Sequence, residues 1–100
     1  MRRAAKKDSN HNEIAGTFRQ LGWSWTDTHQ LGNGFPDGAA GKNNRTLLVE
    51  IKDGSLPPSA RKLTPMEQTF HDRFKGAKAI VESVDDVIRI NNEHHKELFA

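Results

Sequence analysis

The chain has 100 residues, 34% of them hydrophobic, and a mean hydropathy of -0.79; this bounds a single small domain with a core thin for its surface, which self-association would relieve. Its 15 Lys and Arg against 13 Asp and Glu leave a formal charge of only +2, but bunching at Arg2, Arg3, Lys6 and Lys7, at Arg61 and Lys62, and at Arg73, Lys75 and Lys78 suits a polyanionic partner. The absence of cysteine excludes disulfides, thiolate chemistry and cysteine zinc sites, while polar residues after the basic start argue against a secretory leader and no run approaches the ~20 apolar residues of a membrane span, so a cytoplasmic protein is expected.

Residues 1–9 read as a loose basic arm, and residues 10–100 as the domain. Ile14, Phe18 and Leu21 recur at helical spacing up to Gly22, with Asn10 as cap and Glu13 three residues on. In "WSWTDTH", Trp23, Trp25 and Asp27 alternate with Ser24, Thr26 and Thr28, as in a strand. The Gly-rich "LGNGF" leads into Pro36-Asp37. A second strand is predicted over about 37–42, a turn at Asn43-Asn44, and a returning strand over 46–52. "DGSLPPSARKL" is a loop. Thr64-Pro65-Met66-Glu67 combines a capping box with proline at the first helical position, and Met66, Phe70 and Phe74 form the apolar stripe of the helix that follows. Gly76 ends it, "AKAIVES" is a strand, and Ser83 to Asp86 cap a last helix bearing Val84, Val87 and Ile88. The order α, β, β, β, α, β, α predicts an α/β (α+β) domain, a mixed sheet flanked by helices, with the strand before the crossover helix in its interior.

That interior strand carries two charges. Alternation places Leu47, Val49 and Ile51 on one face and Leu48, Glu50 and Lys52 on the other. On an exposed face such a pair is ordinary, worth ~0.2–1 kcal/mol. Inside a sheet each ion costs several kcal/mol unless a partner or a cation compensates. Asp37 is positioned to reach the same place, and two carboxylates with one backbone carbonyl make a hard oxygen site for magnesium or manganese, with the lysine facing a phosphate.

Pro36-Asp37 with Glu50-Ile51-Lys52 resembles the motif of the PD-(D/E)XK nuclease superfamily, and the element order is similar to its restriction-endonuclease-like αβββαβ core. Within it, "HNEIAGTFRQLG", "VEIKDG", "PPSARKLTP" and "ESVDDV" look like small phage and prophage nucleases of the VRR-NUC and Holliday-junction-resolvase type, over roughly residues 8–90; a Val-Arg-Arg signature does not occur. The resemblance implies that Asp37, Glu50 and the Ile51 carbonyl hold Mg²⁺ or Mn²⁺, that Lys52 orients the attacking water or neutralises phosphate charge, and that Glu13 binds a metal directly or through water. Glu13 is equally the capping acid of the first helix.

Arg61 and Lys62 are the first candidates for phosphate contacts, with Lys42, Arg45 and the basic arm next. Gln68 and His29 are possible additions to the site, and Asp27 also lies upstream of the Gly-rich loop; Asp53, before Gly54, suits a turn. Trp23 and Trp25 fit the core better than a base-stacking platform. The five histidines show no zinc-ligand spacing, His94 and His95 being adjacent. Two functions are expected to compete. One is a DNA endonuclease selective for branched structure, as a homodimer that cuts both strands; the other is an inactive nuclease-fold module binding nucleic acid or a protein.

Overall fold

The computed structural model describes residues 8–98, so most of the basic arm, residues 1–7, lies outside the description. Its elements run α1 (His11–Gln20), β1 (Ser24–Asp27), β2 (Gly38–Lys42), β3 (Arg45–Ile51), α2 (Pro65–Arg73), β4 (Lys78–Val81) and α3 (Val84–Leu98), with single 3-10 turns at His29–Leu31 and Pro58–Ala60. The four strands form one sheet in the order β1-β2-β3-β4. The first three pair antiparallel and β4 joins β3 in parallel. This is the expected mixed α+β arrangement, with β3 interior, and among the described residues no helix is long and apolar enough to cross a membrane.

Local chemistry explains most boundaries. Asn43 and Asn44 both take positive φ, 53° and 63°, the geometry of a tight hairpin turn whose twist matches the strands. At Thr64 the side chain accepts from the Glu67 backbone N–H and the Glu67 side chain accepts from the Thr64 N–H, closing the capping box. Asn10 does stand at the N-cap of α1, but its side chain makes no cap bond. Its Nδ2 donates to the Lys52 and Glu82 carbonyls instead, fastening α1 to the ends of β3 and β4. Glu13 therefore closes no capping box.

The core lies on one sheet face, where Ile14, Ala15 and Phe18 of α1 and Val87 of α3 cover Trp25, Ala40, Val49, Ile51 and Val81. Trp23 and Trp25 are buried, and both pack against Phe18. Gly38 is where the Trp25 ring crosses β2: a Cβ there would stand 2.1 Å from the ring. Two apolar stripes differ from expectation. On α3, Val87 is buried but Ile88 is 42% exposed; the buried line continues through Asn91 and His94, whose polar atoms meet Trp23 Nε1 and Asn43 Oδ1. Helix α2 buries no residue at all. Phe70 meets Phe35 edge to face and stacks on Phe74 while Met66 stays open, because α2 packs on the Gly-rich loop and not flat on the sheet. The loop approaches closely: Gly34, at φ 82°, puts its Cα where a Cβ would lie 2.3 Å from the Met66 carbonyl oxygen.

Candidate functional site

The strand bounds matter at position 37. Strand β2 begins at Gly38 and not at Asp37, yet the Asp37 N–H still donates to the Val49 carbonyl at 2.9 Å. One rung further, where β2 has no residue to offer, the Ile51 N–H donates to the Asp37 carboxylate at 2.7 Å. The carboxylate thus takes the place of a strand carbonyl. The N–H and C=O of one strand residue leave by the same edge, so the Ile51 carbonyl points to the edge where Asp37 sits.

Glu50 lies on the opposite sheet face from the core, 2% exposed. Its Oε1 is buried without a hydrogen-bond partner among the described residues. Burial, then a hydrogen bond with the Asp37 carboxylate, then the charges of Asp37 and Glu67 push its carboxyl up to about 10, against a smaller downward pull from Lys52. A buried acid held against another acid is a site that takes up a proton or a cation.

Lys52 follows the strand and reaches α2, where its Nζ meets Glu67 Oε1 at 2.7 Å; the two side chains are 12% and 19% exposed. Burial alone would lower the ammonium, but the Glu67 bond and the surrounding carboxylates outweigh it and hold Lys52 above the ordinary lysine value. Burial likewise works to raise Glu67, and the bonds from Lys52 and the Thr64 N–H outweigh it, so that carboxylate sits below its usual range. Asp8 is a fifth member. Burial raises its carboxyl, Lys52 draws it back, and Asp37, Asp53 and Glu67 push with burial.

Asp37, Glu50, Ile51 and Lys52 are thus brought together. Glu13 is not among them: it is exposed on α1 and lines a groove with Asn10, Asp53, Arg61, Glu82 and Asp86, and the acid from the N-terminal part of the chain that acts on Lys52 is Asp8. Gln68 bonds Asp72 at 2.8 Å, one residue's rotation away from the direction its neighbour Glu67 takes. Arg61 is tied to the Leu56 carbonyl and to Glu82, whereas Lys62 is exposed on the same loop.

Lys42 and Arg45 stand at the hairpin end of β2 and β3, about five residues or ~16 Å along the strand from Glu50. Lys42 Nζ is engaged by the Leu21 carbonyl, Asn91 and His95, and Arg45 pairs with Glu97 at 2.6 Å. Both serve the α1–α3 end of the fold and are not poised beside the carboxylates. Asp53 is a turn residue, as expected, accepting from the Ser55 N–H and hydroxyl and from Ser9.

Glu67 and Asp8 are the residues that sequence reasoning passes over. The capping box accounts for Glu67 so completely that its second bond, to Lys52, leaves no trace in spacing, and Asp8 belongs to no periodic segment. His29 lies beside His11 and Asp27, away from the role considered for it with the carboxylates; one donor atom from each of these three lies within 4.8 Å of the others. The oxygen-only donors of Asp37, Glu50 and Ile51, one of them orphaned and buried, suit Mg²⁺ or Mn²⁺ better than a softer ion. No family model, curated protein or solved structure matches the chain, so the site itself carries the functional argument.

Proposed function

We propose that this chain is a metal-dependent endonuclease of the PD-(D/E)XK type, hydrolysing DNA phosphodiester bonds. The observation that carries the reading is the pairing of Asp37 with the buried Glu50, whose Oε1 has no partner among the described residues, on an interior strand, an arrangement that costs stability and that a divalent cation would offset. Asp37, Glu50 and the Ile51 carbonyl would hold Mg²⁺ or Mn²⁺, which when bound supplies polarisation of a phosphate oxygen and acidification of a water. Lys52 keeps its charge beside the carboxylates and offers a donor to a phosphate. Glu67 restrains that ammonium, and Asp8 adds to the negative field. Lys62 and the basic arm are the proposed phosphate contacts.

Branched or distorted DNA is the proposed substrate because phosphate contacts suffice for shape recognition, and the described residues form only the sheet and the three helices around it, with no further helix or ribbon to read base edges in a groove. A homodimer is the proposed form for cutting both strands. Its support is the apolar hollow of about 550 Å³ on α2, lined by Met66, Phe70 and Phe74, with Met66 54% exposed.

A second reading, an inactive binding module, is favoured by one observation: Lys52 is spoken for by Glu67. Incubation with supercoiled plasmid and four-way-junction DNA in Mg²⁺ or Mn²⁺ separates the two. Cleavage abolished by chelator and by Asp37→Asn is expected of the nuclease. Cleavage that persists in the Asp37 variant would remove the site, and binding without cleavage on all substrates would leave the module.

A further inference from the structure

Two histidines that lie 18 positions apart in sequence meet at one carboxylate. His11 opens α1, Asp27 closes β1 and His29 opens the 3-10 turn that follows. His11 is 2% exposed and its Nε2 stands 2.7 Å from Asp27 Oδ1. The same oxygen accepts from Trp25 Nε1 at 2.7 Å. The His11 and His29 rings sit edge to face, 5.3 Å between centroids.

A structural His–Asp pair would need only one imidazole. Here there are two, and each keeps a buried Nδ1 with no hydrogen-bond partner among the described residues. A buried nitrogen left unpaired costs about 1–3 kcal/mol. His11 meets Asp27 through Nε2, so an ion shared with that carboxylate takes Nε2 of His11, and it is the unpaired Nδ1 of His29 that such an ion would relieve.

We propose that His11, Asp27 and His29 form a divalent transition-metal site of the zinc and cobalt class, distinct from the oxygen-only pair of Asp37 and Glu50. Two imidazoles and a carboxylate are the donor set that such ions select over magnesium. The Trp25 N–H holds the same carboxylate oxygen that faces His11, fixing its orientation as outer partners of metal ligands do. The Asp27 side chain is 43% exposed and His29 is half-buried, so the cluster lies at the surface and not in the sealed core. Bonds of about 2.0–2.1 Å set tetrahedral ligands about 3.3–3.5 Å apart. The donors lie within 4.8 Å of one another, so His29 needs to close by up to about 1.4 Å, which the short turn carrying it can supply, while the His11–Asp27 pair opens from 2.7 Å by about 0.6 Å to admit the ion.

The site also has a structural meaning. Thr28, between two of the ligands, donates its N–H to the Asp37 carbonyl and its hydroxyl to the Pro36 carbonyl. An ion held here clips the start of α1 to the segment that carries Asp37. The inference stands whether or not the chain is a nuclease.

The test is Co²⁺ titration of the full chain carrying Asp37→Ala, which disables the oxygen site, followed by visible absorption and calorimetry. One equivalent of cobalt with ligand-field bands, displaced by Zn²⁺, is expected. Adding His29→Ala should weaken binding at least tenfold and remove the bands, and Asp27→Asn should weaken it too, with circular dichroism reporting that each variant is folded. Should His29→Ala fail to fold, His29→Gln takes its place in the same titration. No cobalt bound at ~100 µM, or cobalt bound equally well after the His29 substitution, overturns the proposal. That concentration sits far above the affinities of built sites.

Discussion

Lys52 and Glu67 are joined at 2.7 Å across the gap between the end of β3 and the first turn of α2. The same Glu67 oxygen accepts from the Thr64 N–H, so one carboxylate both starts the helix and holds the lysine. Lys52→Met therefore strips Glu67, Glu50 and Asp8 of a shared cation. Cleavage should fall at least ~100-fold, the scale of losing one charge-stabilising donor, with a stability loss of about 1–2 kcal/mol after allowing for partial solvent access. Glu67→Gln keeps the acceptor and frees the ammonium, so cleavage should stay within ~3-fold of the parent by this argument. Glu67 lies below its ordinary value; its contribution is complete above the unfolded value of 4.5 and is lost as pH falls through the folded one. Denaturant melts of both variants, run beside the cleavage assay, measure all of this.

Glu50 has the opposite sign. Its carboxyl titrates at 4.5 in the reference state and about 10 in the fold, so the folded protein holds the proton more tightly. That contribution is complete below 4.5 and drains away as pH rises toward 10. The melting temperature of the metal-free protein should fall between about pH 5 and pH 9, with a slope of at most ~1.4 kcal/mol per pH unit from this group. Glu50→Gln should flatten the slope, raise metal-free stability at neutral pH by about 1–3 kcal/mol and abolish cleavage. A slope unchanged by the substitution would assign the proton uptake elsewhere.

Asp37 has two duties that conservative substitution separates. Asp37→Asn retains an oxygen for the Ile51 N–H and should melt within about 1 kcal/mol of the parent. Asp37→Ala orphans that N–H and should lose about 1–3 kcal/mol. Both should cleave at least ~100-fold more slowly, since neither offers a charged ligand. Chemical denaturation and single-turnover cleavage give the two readings.

Trp25 packs directly against Gly38. Gly38→Ala drives a methyl group into the indole, 2.1 Å away before relaxation, and should cost about 1–3 kcal/mol with a change in tryptophan emission. Gly16, in the middle of α1 with open space where its Cβ would be, is the counter-experiment: Gly16→Ala should stabilise by about 0.4–1 kcal/mol.

Much of this fold is legible before any coordinates. The element order, the interior placement of β3, the Asn43-Asn44 turn and the capping box at Thr64 all rest on local chemistry that short stretches carry whole. The convergence of Asp37 with Glu50 and Lys52 follows from strand alternation plus that order. What is not legible depends on direction and packing. Spacing makes Met66, Phe70 and Phe74 a stripe but does not say which surface it meets, and here it is the Gly-rich loop and solvent. Lys42 and Arg45 are basic and close in sequence to Glu50, yet β-strand rise carries them to the far end of the sheet. Asp8, Asp27 and His11 come together with their partners only through the way α1 lies across β1 and β3.

The hydrogen bond from Ile51 to the Asp37 side chain sets unequal constraints on the two acids. If the proposed hydrolysis were lost, the chain would still need an acceptor at position 37 to complete its backbone pairing, whereas a smaller apolar residue at position 50 would relieve it of a buried acid that costs stability. Decay of the activity would begin at the glutamate, and an acid or amide surviving at 37 alone would be a scar of architecture, not a sign of lingering chemistry.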